Sequence, residues 1–278
     1  MTLLSLFQFD FVVRSFEAGV LLSIIAPLIG MFLVVRRYSL LADALAHVSL
    51  LGVALAVFFR IPIFLGALCM SLIAALGIER LRRDGRVLGE AIIALFLSSS
   101  LALSVVIMSL SNGLNVNILS YLFGSLTKVT TLDVFILTFL ALFVIIFLLF
   151  FYRELFLFAL DEDLAKVSGV RVGFLSNVFM VLSALTVTAS LQMVGVLLIG
   201  ALMVVPVLTA MQWQYSFRAT LLLSVFFSFL SVVAGFCLAL LFDFPSGGAI
   251  VIVSVSFFVL VYGFRHITRS LVGFRQSA

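Results

Sequence analysis

Asp43 and His47 are two ionisable residues that lie four positions apart inside an apolar run. Residues at i and i+4 share one face of a helix, so this carboxylate and this imidazole could converge on a single ion. Such a mixed oxygen and nitrogen pair suits zinc, manganese or ferrous iron. The spacing is equally compatible with a hydrogen bond between the two side chains or with a proton relay, since ionisable residues in membrane helices serve all of these purposes.

The element that must position this pair is the apolar segment from Ser39 to Phe59, which is long enough to cross a bilayer. A charged side chain near the middle of a membrane helix costs about 3 kcal/mol on insertion scales, so it persists where it faces a cavity, a partner or an ion. Two ligands do not complete a metal site. Another helix, water or a delivering protein would have to supply the others.

The composition predicts an integral membrane protein. Of the 278 residues, 65% are hydrophobic and 10% are charged, and the mean hydropathy is +1.40. A chain with so few polar residues cannot cover the surface of a soluble globule. Because apolar spans occur throughout, we expect an all-α, polytopic transmembrane bundle that forms one domain over residues 1–278.

Apolar runs of about 20 residues predict about nine membrane helices, with eight as the lower count. The run from Val172 to Met211 is too long for one crossing and must turn back, which we place near Thr188 to Gln192. The predicted spans are 12–35, 39–59, 61–79, 88–110, 131–152, 172–189, 192–211, 217–241 and 247–264.

Basic residues are distributed unevenly between alternate loops. Thirteen of the sixteen fall on one side, and only Arg14, Arg60 and Lys128 fall on the other. Cytoplasmic loops collect positive charge, so this asymmetry predicts an outside N-terminus and a cytoplasmic C-terminus. The pI of about 9.4 follows from this asymmetry and from anionic inner-leaflet lipid. The sequence contains no clustered basic patch with interleaved aromatic residues, so it does not indicate nucleic-acid binding.

The residues around the pair carry a family resemblance. The segment RRYSLLADALAH, residues 36–47, followed by Gly52, resembles the signature R-R-x-S-L-x-x-D-A-L-x-H of the membrane subunits of zinc, manganese and iron ABC importers. Further similar motifs follow in the same order over nearly the whole chain, namely EAII at Glu90, YLFGS at Tyr121, GVLLIGALMVVP at Gly195 and DFPSGG at Asp243. The resemblance implies that Asp43 and His47 bind the transported metal and makes Asp243 a candidate member of the metal path.

A second constellation lies in the loop at about 153–171. Asp161 is predicted to cap a short helix that Gly169 ends in a left-handed conformation. Capping of this kind stabilises short helices in general and does not by itself indicate a further function. Glu162, Ala165 and Gly169 are nevertheless similar to the E-A-A…G loop of ABC importers, whose short coupling helix docks on the ATPase. The chain departs from the full motif because Asp163 and Leu164 stand where that motif has small residues.

The resemblance implies a transport subunit and not an enzyme. A phosphate-binding P-loop needs Gly immediately before its Lys, and the only lysines, Lys128 and Lys166, follow Thr127 and Ala165. ATP hydrolysis is therefore expected in a separate ABC ATPase subunit. The family also implies an extracytoplasmic metal-binding protein, a homodimer in the bacterial inner membrane, and a divalent metal that is the transported substrate with no permanently bound cofactor.

Other functions remain open from the sequence. A related permease for vitamin B12, haem or siderophore chelates would have a wide path that needs no Asp and His pair. A gradient-driven secondary transporter predicts inverted internal repeats, which we do not detect in the sequence. A structural or assembly factor would tolerate neutral replacement of both Asp43 and His47.

Overall fold

The computed structural model describes residues 9–110, 124, 129–242 and 244–276, and these residues form α-helices without any strand. Asp243 and the motif at Tyr121 lie outside the described residues. The eleven helices are α1 Asp10–Val35, α2 Leu41–Phe59, α3 Ile63–Arg83, α4 Gly89–Leu110, α5 Thr131–Phe150, α6 Tyr152–Leu160, α7 Glu162–Val167, α8 Val172–Val194, α9 Val196–Met211, α10 Phe217–Phe242 and α11 Ser246–Gln276.

The predicted membrane spans correspond to helices of the structure. Eight helices of the described residues are long and apolar enough to cross a membrane, and α9 is a shorter apolar helix between two of them. The protein is therefore an all-α, multi-pass membrane protein. The sequence did not predict α6, because its nine residues follow α5 after a single non-helical residue, Phe151.

The predicted turn between α8 and α9 lies later than expected. Both Thr188 and Gln192 are still helical, and the helix ends only at Gly195, where φ is 85°. Ser190 donates its hydroxyl hydrogen to backbone carbonyls of the preceding turn, so its polarity is satisfied inside the helix. Glycine adopts a positive φ without a Cβ clash, which places the break at Gly195.

Contacts at one end of the bundle show that the chain reverses at this break. Arg83, at the end of α3, donates to the carbonyl of Gly173 at the start of α8. Arg265 donates to the carbonyl of Trp213, just after α9. Edge-on contacts of the Tyr152 and Phe156 rings with Phe217 join the loop helix α6 to the start of α10 at this same end. Phe217 also contacts Phe32 near the end of α1. Four loops that the charge asymmetry assigned to one side therefore meet at one end.

Helix α2 lies at the centre of the bundle. It packs against α3, α4, α8 and α9, and 72% of its apolar window is buried, compared with 22% for α4. The close approach to α3 depends on Gly52, because a Cβ at this position would lie 2.7 Å from the Cα of Ala67. Small residues permit such backbone contacts between membrane helices. The segment that carries Asp43 and His47 is thus the most enclosed helix of the fold.

Candidate functional site

The side chain of Asp43 lies in the first turn of α2 and faces α9 at Gly200. A Cβ built on Gly200 would lie 2.7 Å from Cγ of Asp43 and 3.2 Å from its Oδ2. No hydrogen bond or ion pair from the described part of the chain reaches this carboxylate. Asp43 is half-buried, so its oxygens keep free lone pairs in a largely apolar setting.

The side chain of His47 faces a cavity of about 490 Å³ between α2 and α4, which opens at the surface of the single chain beside Leu101 and Val105. Its Nδ1 atom is buried and has no hydrogen-bond partner among the described residues. A neutral imidazole with an unpartnered ring nitrogen can accept a proton or bind a metal ion. The cavity is also lined by aliphatic, hydroxyl and thioether side chains, namely Leu50, Leu101, Ser104, Val105, Met108 and Ser109.

The pair itself forms no internal bond. Within the described residues, no hydrogen bond joins Asp43 to His47, which was one of the interpretations that the spacing left open. No third histidine, cysteine, aspartate or glutamate joins them there in a group able to hold a metal. A metal bound at this pair would complete its coordination shell from other atoms, such as water or hydroxyl oxygens.

A second site joins the loop helix α7 to the ends of α1 and α3. Oε2 of Glu162 accepts hydrogen bonds from Arg36 at 3.1 Å and from Arg82 at 2.7 Å. The Arg36 guanidinium also lies 3.6 Å from the centroid of the Phe158 ring on α6. Burial disfavours the ionised form of Glu162, but the hydrogen bond from Arg82 and the charges of Arg82 and Arg36 outweigh it and hold the pKa of Glu162 below its ordinary range.

Glu79 extends this network into the bundle and was missed by the sequence analysis. Its side chain is only 1% exposed, and it accepts hydrogen bonds from Arg82, Arg83 and Ser176. A buried carboxylate requires such partners. The available signal was its spacing, because Arg82 and Arg83 follow at i+3 and i+4 on one helix face. Ser176 belongs to α8, so the network ties α3 to α8.

The two faces of α7 differ. Asp161 caps the helix, as predicted, and accepts hydrogen bonds from the backbone amides of Asp163 and Leu164. Gly169 follows with φ of 81°, also as predicted. Ala165 is fully buried and Glu162 points toward the two arginines, so both face the bundle. The opposite face exposes apolar side chains, with Val167 88% and Leu164 53% exposed.

Comparisons with known proteins identify a common architecture. The model of the ABC 3 transport family matches residues 8–265. The chain is 30% identical to the manganese transport system membrane protein MntC of Halalkalibacterium halodurans, over 93% of the chain and 89% of that protein. It is 28% identical to the high-affinity zinc uptake system membrane protein ZnuB of Haemophilus influenzae, over 91% and 97%. The solved structure of PsaBC from Streptococcus pneumoniae in complex with Fab superposes with a TM-score of 0.81 at 29% identity, covering 92% of each chain.

Proposed function

This chain belongs to the ABC 3 transport family, and we propose that it is the membrane permease subunit of an ATP-driven importer for a divalent transition metal, manganese or zinc. The observation that carries this proposal is the pair on α2, where Asp43 and His47 lie one helical turn apart and the buried Nδ1 of His47 has no partner among the described residues. The names of the relatives MntC and ZnuB favour manganese and zinc. Ferrous iron stays a prediction from the sequence resemblance.

In this proposal the carboxylate of Asp43 and the imidazole of His47 bind the metal in transit. A carboxylate and a neutral imidazole suit both metals, because each accepts mixed oxygen and nitrogen ligands. The cavity of about 490 Å³ beside His47 supplies room for a partly hydrated ion. Transport requires binding that is strong enough for entry and weak enough for release, and an incomplete set of protein ligands fits this requirement. Asp243 is proposed as a further member of the path.

The partners follow from the same family membership. An ABC ATPase subunit would supply the energy, and an extracytoplasmic binding protein would deliver the metal. A homodimer of the permease in the bacterial inner membrane, with its N-terminus outside, completes the assembly. Residues 1–278 would act as one permease domain, with the loop at about 153–171 as the contact to the ATPase.

The loop contributes to this contact with two different faces. Glu162 and Ala165 hold α7 against the bundle. Glu162 pairs with Arg36 and Arg82, and Ala165 is fully buried. The exposed apolar side chains of Leu164 and Val167 would then meet the ATPase. Gly169 permits the chain to leave the helix in a left-handed conformation. A movement of α7 would reach Arg36, seven residues before Asp43.

Replacement of His47 tests the proposed site. Cells that express the chain with its partner ATPase should lose uptake of radiolabelled manganese or zinc when His47 is changed to Ala, by about a hundredfold, with unchanged amounts of protein in the membrane. His266→Ala is the matched control, because His266 is the other histidine of the chain and is exposed. Uptake by His47→Ala at the wild-type rate would refute the site. Inhibition of uptake by chelates and not by the free metal would favour a chelate permease.

A further inference from the structure

Gly200 on α9 differs from the other glycines whose surroundings the structure describes, because the group that a side chain there would meet is a carboxylate. A Cβ on Gly200 would lie 2.7 Å from Cγ of Asp43. At Gly30, by contrast, a Cβ would meet the backbone of Met203, and at Gly52 it would meet the backbone of Gly66 and Ala67. Those two glycines let helices approach each other, whereas Gly200 leaves room for a functional side chain.

We propose that Gly200 is a positioning residue for Asp43, because its missing side chain forms the space in which the carboxylate lies and thereby sets the direction of the two carboxylate oxygens. This inference rests on the proposed role of Asp43 in metal binding. Both Oδ atoms of Asp43 lie within 4 Å of the Cβ position at Gly200, so any side chain on α9 would displace the whole carboxylate. Two ligands can share one ion only while their donor atoms point to the same place.

The local structure restricts where a displaced carboxylate could go. Asp43 is flanked on α2 by Leu41, Ala42, Ala44 and Leu45, all of which are fully buried. Ile199, the residue before Gly200, is also fully buried and Leu202 is 1% exposed, so α9 is packed on both sides of the glycine. A methyl group at residue 200 would therefore force the short Asp43 side chain, which has no hydrogen bond to the described residues, into another rotamer within these packed surroundings. The helices themselves need not separate.

The first test measures metal binding by the purified full-length chain. In Gly200→Ala we expect the Kd for Mn²⁺ and Zn²⁺, measured by titration calorimetry, to rise about tenfold to a hundredfold, which is typical when a residue that orients a metal ligand is changed. Gly77→Ala is the matched control, because an added Cβ there would make only an ordinary contact, 3.6 Å from Cζ of Phe96. An unchanged Kd in Gly200→Ala, measured beside a wild-type protein that binds either metal, would overturn the inference.

The second test uses thermal unfolding of the metal-free protein and does not depend on transport. With Asp43 present, Gly200→Ala should lower the melting temperature relative to the wild type. In the Asp43→Ala background, addition of Gly200→Ala should cause no further loss, because removal of the carboxylate makes room for the methyl group. Such non-additivity is the signature of two residues in contact. An equal loss in both backgrounds would mean that residue 200 acts through helix packing and would overturn the positioning role.

The two tests separate this inference from the proposed function. If the wild-type chain binds neither metal while the unfolding cycle still shows coupling, the proposed function fails and the contact between Gly200 and Asp43 stands. If the wild type binds metal and Gly200→Ala binds it equally well, the proposed function stands and the positioning role fails. A rise in Kd that persists unchanged in the Asp43→Ala background would also contradict the role of Gly200, since it would not act through the carboxylate.

Discussion

Arg82 donates to Oε2 of Glu162 at 2.7 Å, and this bond fastens the short loop helix α7 to the end of the membrane helix α3. Arg36, just after the end of α1, donates a hydrogen bond to the same oxygen. The three residues come from separate parts of the sequence, so the bond unites elements that no local interaction connects. Because α2 begins five residues after Arg36, a displacement of α7 would pull on the segment that leads into the helix with the proposed metal ligands.

Replacement of Glu162 by Gln should loosen α7 without unfolding the membrane helices. The change removes the negative charge that two arginines share, and loss of a hydrogen bond to a charged group costs about 2 kcal/mol. We expect faster amide hydrogen exchange in residues 152–171, measured by mass spectrometry. Asp163→Asn is the matched control, because Asp163 is 90% exposed and pairs only with Lys166 on the surface. Equal exchange in the two variants would contradict an anchoring role for Glu162.

The stability that Glu162 contributes should depend on pH. Its arginine partners hold the pKa of Glu162 below the ordinary value of 4.5, so the folded protein binds this proton more weakly than the unfolded chain does. The contribution is therefore complete above pH 4.5 and is lost as the pH falls from 4.5 through the lowered pKa. Thermal unfolding in detergent between pH 7 and pH 3 should show the wild type and Glu162→Gln converging at the acidic end. A constant difference in melting temperature across that range would disprove this linkage.

A charge on the exposed face of α7 should disrupt the proposed contact with an ATPase subunit. Val167 is 88% exposed, and its substitution by Asp would place an unpaired charge in an apolar interface. We expect loss of ATPase co-purification and more than about a tenfold loss of metal uptake, with normal amounts of permease in the membrane. Val167→Thr has a similar volume and no charge, so it should retain both. Normal ATPase binding by Val167→Asp would show that the docking face lies elsewhere.

The membrane helices could be predicted from the sequence because their cause is local. An apolar run of about 20 residues has one stable solution in a bilayer, and the predicted spans match the observed helices within a few residues at most ends. The loop signals at Asp161 and Gly169 were also read correctly, since capping depends on neighbouring residues. The break at Gly195 was placed too early because length alone located it.

The arrangement of the site could be predicted only in part. The spacing of Asp43 and His47 indicated a shared helix face, but it could not indicate that one side chain faces Gly200 and the other faces a cavity beside α4. Gly200 was not singled out as a site residue within the segment GVLLIGALMVVP, because the carboxylate that it faces is more than 150 positions away in the sequence. Glu79 was placed at the end of a span, and its burial depends on Ser176 of α8. Contacts between distant segments carry this information, and local patterns do not.

The length of α9 has an electrical consequence. Sixteen residues cover about 24 Å, which is less than the hydrocarbon thickness of about 30 Å. The first amide groups of α9 have no carbonyl partner within their own helix, and lipid cannot accept their hydrogen bonds. Protein polar groups or water must therefore satisfy these amides near Gly195, which is buried in the bundle. Where water reaches this point, the transmembrane voltage falls over a shorter distance inside the protein than in the lipid.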